Sequence, residues 1–219
     1  MYRGDILGAR RNSRALGAIR ALRARQARQE RKIEILCKDM VAAHGEFAEK
    51  LSIMQFTVLF QDALLGVREK GLLLERAAEE LCKGLCRAHT AVFVAGRKGF
   101  EIYICQDGDI GREHLQNWFG PELAAELSLS HKICSLEEML EMGLQASPGS
   151  LKNLTAVAVP MGRSGEASGF ILLWRGAERP FGKWELARAA AAASGLRMAI
   201  VHFGHKPTGR AEGLKTGAR

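Results

Sequence analysis

An α+β fold, with an antiparallel sheet flanked by helices and preceded by a long N-terminal helix, is predicted by three observations. Residues 155–161 alternate as a strand does, 162–169 reads as a glycine turn, and 170–174 resumes as a strand, so the stretch is a hairpin. Residues 91–95 and 100–105 form a second strand pair, joined through Gly96 and Gly99, which suit a tight turn. Between Ile33 and Leu65 apolar residues recur at steps of three, four and seven, the period of an amphipathic helix.

The elements follow in order. Residues 1–14 set Gly4, Gly8, Asn12 and Ser13 among arginines, a composition with no core to bury, and are expected to be disordered. From Ala15 the Ala/Leu/Arg/Gln composition is helical, which makes 1–32 a basic, partly disordered arm. Residues 33–66 form the long amphipathic helix, with Ile33, Leu36, Met40, Phe47, Leu51, Met54 and Val58 on its stripe. The step from Phe47 to Leu51 is a stutter, and His44 and Gly45 weaken the middle. At ~1.5 Å per residue the stripe runs about 50 Å, more than a covering helix of one domain needs, so a coiled-coil homodimer through these residues is expected.

Gly66 and Gly71 mark a break. A helix over 72–88 then places Leu73, Ala77, Leu81 and Leu85 on one face and Glu75, Glu79 and Lys83 opposite. Short helices at 113–119, 121–129 and 136–144 are separated by Gly120, Pro121 and Ser130, and Ser135 with Glu138 forms a capping box. After the hairpin, Gly176 and Pro180 mark a loop, and 182–203 is a helix without internal proline. The compact domain is 67–203, and 204–219 is a glycine-rich, basic, disordered tail.

Composition narrows the function. No apolar run approaches the ~18 residues of a membrane span, and arginines interrupt any signal peptide, so a cytoplasmic protein is expected. Five cysteines scattered over the elements argue for reduced thiols. The net charge of +8 is unevenly spread: residues 1–32 carry ten Lys/Arg against Asp5 and Glu30, the tail carries a further +3, and the middle is −3. An acidic partner, nucleic acid or an acidic membrane, would therefore be met by the N-terminal arm and not by the domain; a solvated arm without a target is the third reading.

Few constellations suggest chemistry. Cys82, Cys86 and His89 at i, i+4 and i+7 would share a helical face, yet no fourth ligand is nearby, and buried cysteines commonly act as small hydrophobes. No metal is expected. No phosphate-binding loop, nucleophile elbow or zinc-protease motif occurs.

The order of Val159-Pro160-Met161, Gly165, Gly169 to Leu173, Arg179-Pro180-Phe181 and the helix ending in Met198 to Val201 resembles the end of a GAF domain. That resemblance covers roughly 70–203. It implies a sensory, dimerising module that binds a small molecule between one sheet face and a lid built from the segment before the hairpin. On that basis the pocket residues expected are Tyr103, Cys105, Arg112, His114, Trp118, His131, Cys134 and Met161, with Arg112 and His114 anchoring an anionic group. The opposite strand parity, Phe100, Ile102 and Ile104, is the alternative pocket face, and a filled core without a cavity is the third reading. The resemblance does not name a cofactor. Catalysis is not expected: the family's free methionine-sulfoxide reductases need clustered lid cysteines, and only Cys105 and Cys134 lie there. A thiol sensor using either would need an acidified thiol. No output domain is legible, so a separate signalling protein is the expected partner, and a ligand-free dimeric scaffold is the alternative function.

Overall fold

The computed structural model describes residues 4–85, 88–96, 99–105, 110–162 and 168–204, the side chains of 4–15 and Pro148 excepted. The expected tail from 205 onward, the interior of both glycine turns and Cys86 lie outside the described residues. The chain divides into two compact units, Met1–Leu51 and Ser52–Arg219.

The first unit is helix α1 (Gly4–Leu64, which continues into the second). It opens well before Ala15, so residues expected to be disordered on composition are helical. The physical reason is that extension adds a hydrogen bond per residue once a helix exists, and only nucleation is costly. His44 and Gly45 do not interrupt it. Every described side chain from 16 to 51 is exposed.

In the second unit the last turns of α1 carry two apolar faces. Phe56, Phe60 and Leu64, at steps of four, pack into the domain core, with Phe60 at 1% exposure. Met54 and Val58, two residues out of phase, stand exposed at 64% and 56%. Gly66, at φ 82°, ends the helix in the left-handed conformation that only glycine takes freely.

Helix α2 (Lys70–Gly84) buries Leu73, Leu74, Ala77, Ala78 and Leu81, the face read from the sequence. It ends before the expected Ala88, because His89 already belongs to a strand. The strands are β1 (His89–Gly96), β2 (Gly99–Cys105), β3 (Cys134–Ser135), β4 (Leu154–Pro160) and β5 (Gly169–Gly176), in sheet order β2-β1-β5-β4-β3 with antiparallel pairing throughout. Both expected strand pairs are present, and Ala91 opposite Ile104 and Val159 opposite Ile171 fix their registers. The two-residue β3 had no legible pattern.

Between β2 and β4 lie α3 (Arg112–Trp118), α4 (Pro121–Leu129), α5 (Leu136–Glu141) and α6 (Pro148–Leu151). The Ser135–Glu138 capping box opens α5, with Glu138 N donating to Ser135 Oγ at 3.3 Å and Ser135 N to Glu138 Oε2 at 2.8 Å. Helix α7 (Lys183–Gly204) closes the domain. The sheet is therefore covered on both faces: α2, α7 and the end of α1 on one, α3, α4 and α5 on the other.

Candidate functional site

Strand parity decides which side chains face the lid formed by α3, α4 and α5. Ala91 and Phe93 of β1, Ile102 of β2, Ala156 and Ala158 of β4, and Phe170, Leu172 and Trp174 of β5 point to it. Thus the alternative parity faces the lid. The three alanines leave room that aromatic rings fill: Phe93 stacks on Phe170 at 4.3 Å, and Phe119 of the lid meets Phe93 at 5.1 Å and Phe170 at 5.7 Å. The void left between sheet and lid is about 20 Å³, far below the ~300–1,000 Å³ of ligand pockets. A ligand of ordinary size has no room there.

The expected pocket residues are dispersed. Tyr103, Cys105 and Met161 lie on the opposite sheet face, against the core beneath α2 and α7. There Cys82 packs beside Cys105, whose thiol is pushed up to about 12 by burial and by its hydrogen bond with Cys82. Both effects work against an activated thiolate at Cys105. Arg112 donates from Nη2 to Ile102 O at 2.6 Å, fastening α3 to β2. Cys134 is buried in β3 with Sγ 3.4 Å from Ser130 Oγ, whereas His131 is exposed on the loop before it. Tyr103, Cys105 and Arg112 line one cleft, beside α2, and a different one holds His114 and Trp118.

Those two line an open cleft of about 550 Å³ at the end of the sheet, completed by His89, Ile110, Lys152, Asn153, Leu154 and Trp174 among others. Its size is within the ~300–1,000 Å³ typical of ligand pockets. The His89 ring stacks on Trp174 at 5.5 Å, and His114 lies edge-on to Trp118 at 6.3 Å. His89 therefore belongs to the lid face while Cys82 belongs to the other, and the cluster envisaged with Cys86 does not share a helical face. No carboxylate lines this cleft among the described residues, unlike a second of about 420 Å³ bordered by Glu75 and Glu79 and a third of about 440 Å³ bordered by Glu126, Glu138 and Glu141. In the first cleft, Lys152, His89 and His114 set polar groups beside the Trp118 and Trp174 rings.

Two polar junctions escaped the sequence reading. Arg175, at the end of β5, is buried against Glu185 of α7 with Nη1–Oε1 and Nη2–Oε2 distances of 2.8 and 2.6 Å. Its Nε donates to Arg179 O at 2.7 Å, its Nη2 to Pro180 O at 3.0 Å, and it lies 4.3 Å above the Phe181 ring. This is what the Arg179-Pro180-Phe181 junction serves. Burial alone would raise the Glu185 carboxyl, but hydrogen bonds from Arg175 and from Gly182 N–H hold it below the usual carboxylate range. The signal was present: Gly182 followed three residues later by Glu185 is half a capping box.

The second junction is Arg188 of α7, which donates to Ser52 Oγ of α1 and, at 3.3 Å, to Gly84 O of α2, and lies over the rings of Trp184 and Phe56. Gly84 admits this contact, since a Cβ there would fall 2.1 Å from the Phe56 ring. One guanidinium thus joins three helices.

The fold is that of a GAF domain. The GAF domain of a phosphoenolpyruvate-protein phosphotransferase from Coxiella burnetii superposes with a TM-score of 0.53 at 15% identity, over 69% of this chain and 94% of that one. The GAF domain of an Acinetobacter phosphoenolpyruvate-protein phosphotransferase gives 0.53 at 11% identity, over 71% and 96%. No protein-family model matches the chain, and no curated protein does.

Proposed function

We propose that this chain is a signal-transduction module in which two copies pair along α1 and regulate a partner protein. The observation that carries this reading is the second apolar face of α1. Ile33, Leu36, Met40, Phe47 and Leu51 stand 48–66% exposed in the first unit, and Met54 and Val58 continue the same steps in the second. Apolar residues repeated at steps of three and four match the seam of a two-stranded coiled coil, and a second copy supplies an identical seam. The GAF fold, common among sensory modules, supports a signalling role.

A small molecule in this reading occupies the open cleft beside α3, because the sheet–lid interior is full. Trp174 of that cleft precedes Arg175, which is bonded to Glu185 of α7, and α7 holds α1 through Arg188. A ligand that prefers one seating of α7 would shift the population of α1 arrangements by its differential affinity. The filled interior favours a second reading, a dimeric scaffold that works without a ligand.

Sedimentation of the full chain and of a variant carrying Met40→Lys and Phe47→Lys tests the pairing. A dimer that becomes a folded monomer supports it; a wild-type monomer at micromolar concentration overturns it. A native mass spectrum of the same preparation separates sensor from scaffold. A reproducible added mass lost on substituting Trp118 marks a sensor, and bare dimer marks a scaffold.

A further inference from the structure

The basic segment of α1 is not used by either reading. Stepping back from Ile33 by alternate fours and threes gives Gln29, Gln26, Leu22 and Ile19, so the seam continues through it with a polar stretch in its middle. Arg20, Arg23, Arg25, Arg28 and Arg31 fall off that seam and are exposed. Among the described residues none of them is in an ion pair. The carboxylate of Glu30, the nearest counter-charge, instead accepts a hydrogen bond from Gln26 at 3.0 Å.

We propose that the two α1 arms of the dimer bind double-stranded nucleic acid through its phosphates, without reading its sequence. The first argument is charge density. Residues 20–32 hold six cations and one anion; at ~1.5 Å per residue, two paired helices carry a net positive charge every ~1.8 Å, against ~1.7 Å for the negative charges of a duplex. Without a polyanion, arms side by side would repel each other.

The second is chemical type. Five of the six cations are arginines, whose planar fork suits bidentate phosphate contact, whereas lysine acts as a point charge. The third separates nucleic acid from a lipid surface. An interfacial helix needs a broad apolar face, usually with aromatic residues. Between residues 16 and 32, Ile19 and Leu22 are taken by the seam, leaving Leu16, and no aromatic residue occurs between Tyr2 and Phe47. The same lack of aromatics leaves nothing to stack on single-stranded bases.

The proposal rests on the dimer reading for its charge density and for the occupation of Ile19 and Leu22 by the seam; the arginine fork and the lack of aromatic residues stand without it. The test is fluorescence anisotropy of two labelled 24-base-pair duplexes of unrelated sequence, titrated with the full chain at 50 to 200 mM NaCl. The comparison protein carries Arg20→Gln, Arg23→Gln, Arg25→Gln and Arg28→Gln, which keeps a good helix former at each exposed position. Phosphatidylserine–phosphatidylcholine vesicles are titrated in parallel. Both duplexes are expected to bind alike, to weaken by about 10³-fold or more across that salt range, and to lose about one unit of salt slope for each phosphate-touching arginine removed. Absence of duplex binding at 50 mM NaCl, equal binding by the variant, or tighter binding to vesicles each overturns the proposal. Sedimentation in the same buffer keeps the two readings apart: a monomer that binds duplex overturns the pairing and leaves the arm's function standing.

Discussion

At the scale of single residues, the domain depends on Arg175 and Glu185. Taking one partner from a buried pair leaves a charge without compensation, at a cost of about 3–5 kcal/mol. Glu185→Gln is therefore expected to lower the unfolding free energy measured in urea by an amount of that order, with the sheet and α7 both affected because the pair joins them. The pH dependence has a definite sign. Since the carboxyl is held below its ordinary range in the folded chain, its stabilisation is complete above the unfolded carboxylate value of ~4.3 and is lost as pH falls through the lower folded value. Wild-type stability should thus drop below about pH 4 more steeply than that of the Gln variant. Equal slopes would show that the pair contributes nothing. A second residue-scale expectation concerns thiols: with Cys105 raised to about 12 and buried, iodoacetamide at pH 8 should modify exposed Cys37 well before Cys105 or Cys134. Mass spectrometry of a time course reads the order, and early loss of the Cys105 thiol would restore the thiol-sensor reading.

At the scale of elements, what was legible depended on whether the signal was local. The hairpin around Gly169 was readable from alternation and glycine, and Gly169 proves indispensable: at φ 137° a Cβ would sit 2.0 Å from Phe93 O. Ser135 and Glu138 likewise announced the start of α5 because a capping box is complete within four residues. Ser135→Ala is expected to cost about 1 kcal/mol in chemical denaturation, and an unchanged midpoint would mean the box is idle. The pocket was not legible in this way. Strand alternation separates two faces but carries no label for which one meets the lid, so Tyr103 and Cys105 were grouped with Trp118 although the sheet lies between them. Nor does composition reveal that Phe93, Phe119 and Phe170 converge, since they come from three elements far apart in sequence. Of the expected site, His114 and Trp118 share a cleft because both lie on α3, four residues apart and hence on one face.

At the scale of the whole molecule, the two units draw their order from different sources. The domain has two apolar clusters, one on each face of the sheet, which account for its folding without a second copy. In α1 the described side chains from 16 to 51 are all exposed, so among the described residues nothing stabilises that segment beyond its backbone and a few local pairs. Helices in isolation are marginal in water, and most of their stability in proteins comes from packing. If a second copy supplies that packing, helix content must follow mass action: dilution below the dissociation constant should melt the arm while leaving the domain intact. Circular dichroism at 222 nm is expected to fall on dilution, while near-ultraviolet signals from Trp118 and Trp174 stay constant. Thermal melts should resolve a first transition that moves with concentration and a second that does not. The Met40→Lys, Phe47→Lys variant should already lack the first transition at concentrations where the wild type shows it. If ellipticity is independent of concentration while sedimentation reports a monomer, α1 is stable alone and the exposed stripe needs a different partner.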